Sequence, residues 1–124
     1  MPKIRLLLAE DHTIVRKGLR ALLEEHAAVE VVAEAEDGRE AVRLAEALHP
    51  DVVLMDVRMQ GMNGLTTTDC LKRTLPGVSV IILSQYDLEE YRRAAEASGA
   101  SAYMVKKALA EELLAVIASV IGKQ

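Results

Sequence analysis

PDVVLMD, residues 50–56, is a short apolar run opened by a proline and closed by an aspartate. It is too short for a helix and carries no polar alternation, so it reads as a strand buried on both faces. The run from Asp51 to Met55 therefore belongs in the middle of a parallel sheet, with Asp56 at its carboxyl end. The same grammar recurs outward from it. Ile4 to Ala9 is closed by Glu10 and Asp11, Val78 to Leu83 by Ser84, and Ser101 to Val105 by Lys106. Val29 to Ala35 supplies one more strand.

Helix-like segments separate these runs. Val15, Leu19, Leu22 and His26 repeat at spacings of three and four, as do Leu109, Leu113, Val116 and Val120. Leu114 and Ile121 widen the apolar arc of the last helix, as a broad core contact or a dimer or effector surface would require. Less regular helices are expected near Arg39 to Leu48, Gly64 to Leu75 and Leu88 to Ala97. Gly38, Pro50, the Pro76-Gly77 pair and Gly99 punctuate the joints. The pattern is five βα units, an α/β doubly wound parallel sheet covered by helices on both faces. No internal repeat, low-complexity tract or linker interrupts it.

Length and composition agree with one domain. The chain has 124 residues, enough to bury a core without disulfides or structural metal. Half of it is hydrophobic (51%), almost all aliphatic, since Tyr86, Tyr91 and Tyr103 are the only aromatic residues. The net charge of -4 and the lack of a long basic stretch disfavour nucleic-acid binding by this segment. The single cysteine, Cys70, builds neither a disulfide framework nor a zinc site and reads as an apolar filler of the third helix. A reducing cytoplasm fits this usage. Glu10 and Asp11 stop the first apolar run far short of a signal-peptide core, and no run approaches the roughly 18 residues of a membrane span.

If the strands are parallel neighbours, their carboxyl ends share one edge, where open α/β sheets bind ligands. Glu10, Asp11, Asp56, Ser84 and Lys106 then meet in one crevice. Taken singly, each has a plainer reading: a strand-end Asp is usually a cap or turn residue, a lysine is surface charge, a serine forms a turn. Their joint placement at successive strand ends favours a shared site. At about 5 Å separation each carboxylate pair repels by roughly 3 kcal/mol for an effective dielectric near 20, which a divalent cation relieves. All-oxygen ligands select a hard ion, and Mg²⁺ keeps several waters, so a few protein oxygens suffice. A carboxylate beside Mg²⁺ can attack a phosphoryl group, with Lys106 neutralising one phosphoryl oxygen and Ser84 donating a hydrogen bond to another. Elsewhere, His12 lies beside the site but reads as a residue of the first helical turn, and Arg16, Lys17 and Arg20 read as that helix's solvated face, with a docking surface for a partner protein as the functional alternative.

Three stretches carry a family resemblance. AEDHTIVRKGLRALLEE (9–25), PDVVLMDVRMQGMNG (50–64) and GASAYMVKK (99–107) resemble the response-regulator receiver domains of the CheY-like superfamily, in particular the NarL/LuxR type. The resemblance runs from about Lys3 to about Ile121. It implies a flavodoxin/CheY-like (βα)5 fold with strand order 2-1-3-4-5. It implies Asp56 as phosphoacceptor, and Mg²⁺ held by Glu10, Asp11, Asp56 and the main-chain carbonyl of Arg58. Lys106 becomes the phosphate-binding lysine, Ser84 the switch hydroxyl and Tyr103 the switch aromatic. Read without the family, Tyr103 is a half-buried strand aromatic. The partners implied are a sensor histidine kinase, a second copy of the chain on phosphorylation, and a C-terminal helix-turn-helix domain in a longer parent protein. Residues 1–124 read as one receiver domain without a basic recognition helix, so the chain is expected to be either a truncated regulator or a receiver that works alone. The chain departs from common receiver usage at Gln60 and Lys107, where many members have proline, and at Gln85, where small residues or Met are commoner. Without proline after Lys106, a cis peptide there is disfavoured.

Rival functions fit less well. A flavodoxin-like cofactor binder needs a Gly/Ser/Thr-rich first loop, and here Glu10-Asp11-His12 stands in that place. A metal-dependent phosphohydrolase of the haloacid dehalogenase type needs an acid two residues after the nucleophile, where this chain has Arg58. A degenerate receiver acting as a phosphate-independent binding module would lack part of the constellation. The expectation is a signalling phosphoacceptor domain controlling transcription, and not a metabolic enzyme.

Overall fold

Each strand is followed by a helix, and the right-handed crossover between parallel strands sets where the next strand is laid down. The computed structural model describes residues 3–59, 63–106 and 109–122. Strand β1 (Ile4–Ala9) leads through helix α1 (Thr13–Glu24) to β2 (Val29–Ala35), then α2 (Gly38–Leu48) and β3 (Val52–Asp56). Helix α3 (Gly64–Thr74), β4 (Ser79–Ser84), α4 (Glu89–Ala97), β5 (Ala102–Val105) and α5 (Leu109–Gly122) complete the chain. The sheet is wholly parallel in the order β2-β1-β3-β4-β5. Strand order reverses between β1 and β3, and at that switch point β1 and β3 end side by side, with Ala9 opposite Met55.

Alternate residues of the central strands face opposite layers, as the two-residue period of a strand requires. Leu6, Leu8, Val52, Leu54, Ile81 and Leu83 pack with Leu19, Leu23, Leu113, Ile117 and Val120 of α1 and α5. Leu7, Ala9, Val53, Met55, Val80 and Ile82 pack with Ala41, Ala45, Leu71 and Ala95 of α2, α3 and α4. Both cores are aliphatic, with Tyr103 packed at the margin of the second. Each fully buried leucine contributes roughly 1.5–3 kcal/mol of burial free energy. Caps fix two helix starts: Asp37 accepts from Glu40 N at α2, and Asn63 from Thr66 N at α3.

Two helices depart from the expected stripes. In α1 the buried face is Arg16, Leu19 and Leu23, whereas Val15 is exposed and His26 lies past the helix end. The face has turned by about one residue because Arg16 has acidic partners below it, described in the next section. Arg16 is therefore buried, and not part of a solvated face. In α5 the deepest residue is Ile117, beside Leu113 and Val120, while Leu114, Val116 and Ile121 are partly buried against the same core. The wide apolar arc is thus a core contact. Gln60, Lys107 and the Leu109 side chain lie outside the described residues, so the departures noted at Gln60 and Lys107 have no structural counterpart here.

Candidate functional site

The carboxyl ends of β1, β3, β4 and β5 bring Glu10, Asp56, Ser84 and Lys106 together. Lys106 Nζ donates to Glu10 Oε1 at 2.8 Å and stands 3.2 Å from Asp56 Oδ1. Glu10, Asp56 and Ser84 are buried, and the Lys106 side chain is 18% exposed. Ser84 Oγ accepts from Tyr86 N at 3.1 Å, which leaves its O–H free to donate. A cavity of about 150 Å³ is lined by His12, Asp56, Val57, Arg58, Ser84, Gln85, Tyr86 and Lys106. A larger cavity, about 490 Å³, opens at the other end of the sheet and is lined by Lys72, Pro76, Gly77, Val78, Ser79, Ser101 and Val120. Its one charged side chain, Lys72, donates to the carbonyls of Pro76 and Val78.

Burial and charge act oppositely on the two inner acids. Burial, with the adjoining Glu10 carboxylate, pushes the Asp56 carboxyl up to about 7 against the pull of Lys106. Burial also works against the Glu10 charge, but its hydrogen bonds with Asp56 and Lys106 and the Lys106 charge outweigh it and hold Glu10 below the ordinary carboxylate range. Lys106 is raised: burial opposes its charge, and Glu10 and Asp56 overcome that. With no cation bound, these opposing effects favour the ionised form of Glu10 and the protonated form of Asp56 beside the Lys106 ammonium.

The donor set fits a hard divalent cation. Glu10 Oε2 and Asp11 Oδ1 are buried oxygens in no hydrogen bond among the described residues. Unsatisfied buried acceptors are costly and call for a partner. Glu10, Asp11, His12 and Asp56 each offer one ligand atom, all within 4.8 Å of one another. The three acids expected to converge do so. Arg58 lies at the cavity wall, its guanidinium 5.4 Å from the centre of the Tyr86 ring. Tyr103 donates its hydroxyl to the Tyr86 carbonyl, and the Arg92 guanidinium lies 4.8 Å over its ring. Tyr103 therefore touches the loop after Ser84 and does not line the cavity itself.

Sequence reasoning missed Arg16. Its Nη1 donates to the Glu10 carbonyl at 2.9 Å, its Nε to Glu34 Oε1 at 3.0 Å and its Nη2 to Glu36 Oε1 at 3.3 Å. Glu34 also meets Lys17 and Arg20, and although burial opposes its charge, these cations hold its pKa low. The signal was present: a cation three residues before Leu19, with Glu34 and Glu36 at the end of β2. Arg16→Met is expected to lower stability by about 2–3 kcal/mol, the scale of a buried charge-assisted hydrogen bond, in urea denaturation. An unchanged midpoint would show that Lys17 and Arg20 carry the network alone.

These positions match a known family. The model of the response regulator receiver domain matches residues 6–118. The chain is a response-regulator receiver domain. It is 38% identical over 115 residues to the transcriptional regulatory protein DegU of Brevibacillus brevis, covering 93% of this chain and 49% of that protein. It is 42% identical over 110 residues to the transcriptional regulatory protein LiaR of Bacillus subtilis, covering 89% and 52%. The chain spans about half the length of these relatives. Among solved structures, a LuxR-family two-component response regulator from Aurantimonas sp. SI85-9A1 superposes with TM-score 0.94 at 32% identity, covering 98% of this chain and 87% of that one. A LuxR-family DNA-binding response regulator from Staphylococcus aureus gives TM-score 0.88 at 30% identity, covering 95% and 98%. The receiver domain is thus of the NarL/LuxR type, with the fold of a signalling regulator. Among its described residues no helix is long and apolar enough to cross a membrane.

Proposed function

We propose that this receiver domain is a phosphorylation switch that accepts a phosphoryl group on Asp56 from the phosphohistidine of a sensor kinase. The observation that carries the reading is the bridge of Lys106 between Glu10 and Asp56, beside two buried carboxylate oxygens that make no hydrogen bond. Glu10, Asp11, Asp56 and the main-chain carbonyl of Arg58 would hold Mg²⁺. When bound, Mg²⁺ supplies positive charge that offsets the phosphoryl oxygens and keeps Asp56 ionised.

Asp56 is the nucleophile. One of its carboxylate oxygens forms the new O–P bond as the P–N bond of the donor phosphohistidine breaks, and the leaving imidazole takes up a proton. Lys106, already 3.2 Å from Asp56, pairs with a phosphoryl oxygen. Ser84, with its O–H free, donates to another. Water later attacks the phosphorus as the Asp56 O–P bond breaks, which releases inorganic phosphate and returns Asp56 to the carboxylate.

Drawing Ser84 inward moves the loop that carries Tyr86, and the Tyr103 hydroxyl bound to the Tyr86 carbonyl reports that movement to β5. A pre-existing equilibrium between two conformers is thereby biased, and the surface of α4, β5 and α5 changes shape. The NarL/LuxR relationship supports transcriptional output through a C-terminal helix-turn-helix domain of a longer parent protein, with dimerisation on phosphorylation, in the cytoplasm. Residues 1–124 would be the receiver unit of that protein. Reduction of the phosphorylated protein with borohydride tests the reading, because it converts an aspartyl phosphate to homoserine. Homoserine at position 56 in peptide mass spectra supports it, and homoserine elsewhere, or none, contradicts it.

A further inference from the structure

Among the described residues, His12 is the one nitrogen ligand beside the three acids, and receiver chemistry with Mg²⁺ makes no use of it. It stands at the N-cap of α1 but makes no side-chain capping bond there. Its Nδ1 is 3.0 Å from Asp11 Oδ1 and 3.6 Å from Glu10 Oε2, the two oxygens left without a hydrogen bond. Two ligands about 2.1 Å from one ion lie about 3.0 Å apart at adjacent octahedral corners and about 3.4 Å apart in a tetrahedron. The His12–Asp11 spacing is that of ligands at adjacent octahedral corners, and the His12–Glu10 spacing lies just beyond the tetrahedral one. Glu10 is fully buried, so its unpartnered oxygen is held in place from below, while the His12 side chain is 66% exposed and moves at little cost.

We infer that His12 is a further metal ligand, which adapts this crevice to divalent transition ions such as Ni²⁺ and Co²⁺ through a bond that Mg²⁺ does not share. The inference rests on the reading of Glu10, Asp11 and Asp56 as a metal site. Imidazole nitrogen suits the later first-row ions, and Mg²⁺ prefers oxygen. The same acids then accept either class of ion, and His12 sets the ratio.

The test is calorimetric titration of the tag-free protein with NiCl₂ and, separately, MgCl₂, for the parent, His12→Ala and Asp11→Asn. Loss of a supporting group commonly weakens metal binding roughly 10–100-fold, and loss of a direct ligand does so at least as much. His12→Ala is expected to weaken Ni²⁺ by at least about tenfold while leaving Mg²⁺ within about twofold. In the Co²⁺-loaded parent, proton NMR is expected to show a hyperfine-shifted imidazole N–H that His12→Ala lacks. Ni²⁺ affinity that depends on Asp11 but not on His12 would overturn the inference and leave the acidic site standing. Affinities for both ions that ignore Asp11 would overturn the inference together with the metal site beneath it.

Discussion

Asp56→Asn is expected to make the metal-free protein more stable at pH 8 by on the order of 4 kcal/mol, although it removes the residue at the centre of the site. Asp56 is buried and its carboxyl is pushed up to about 7, against 3.8 for the free group. Between those values the folded chain holds a proton that the unfolded chain has released, so stability falls as pH rises from about 4 to about 7. Keeping the carboxylate ionised above pH 7 costs roughly 1.4 kcal/mol for each unit of that difference. Glu10, held low, acts oppositely, losing its stabilising charge only in more acid solution, so the window above pH 5 belongs to Asp56. Urea denaturation without divalent ions should show the parent losing about 3 kcal/mol between pH 5 and pH 8 and Asp56→Asn staying nearly flat. Mg²⁺ should restore the parent at pH 8 by binding the folded, ionised site, and should do little for the variant. A parent whose stability is level across this range would mean that Asp56 is not held protonated.

Gly64→Ala is expected to cost about 3 kcal/mol or more and to impair phosphoryl uptake together with stability. A Cβ at Gly64 would lie 2.2 Å from the Asp56 carbonyl oxygen and 2.9 Å from Val57 Cα, both backbone atoms that cannot step aside alone. The bond from Gly64 N to the Val57 carbonyl, at 3.0 Å, pins α3 to the end of β3, so a methyl group there must displace the strand end that carries Asp56. Gly18 is the control, since a Cβ there meets nothing within 4 Å. Gly18→Ala in α1 should stabilise by roughly 0.5–1 kcal/mol. Equal behaviour of the two variants would show that the approach at Gly64 relaxes easily.

The fold was legible because strand runs and turn punctuation are local signals. Each apolar run from Ile4 to Val105 became a strand within a residue of its expected limits, and a doubly wound sheet leaves few orders for such strands. Glu10, Asp56, Ser84 and Lys106 were legible because each stands directly after an apolar run, and Asp11 because it follows Glu10. Arg16 was not, since its partners come from the ends of β1 and β2, and helical periodicity cannot distinguish a cation facing water from one facing acids. Gly64 escaped notice because its need is a close approach to Asp56 across a loop, which no spacing encodes. His12 looked like an ordinary residue of a first turn, and only the distances to Glu10 and Asp11 set it apart.

Covalent phosphoryl transfer to Asp56 is read out by intact-mass spectrometry after incubation with acetyl phosphate. The parent should gain one phosphoryl group in the presence of Mg²⁺, lose it on standing, and gain none when the metal is chelated. Asp56→Asn, shown to be folded by circular dichroism, should gain none under either condition. An adduct that persists in Asp56→Asn would place the phosphoryl group on another residue, and a folded parent that gains none with Mg²⁺ present would leave a receiver domain that binds its partners without phosphate.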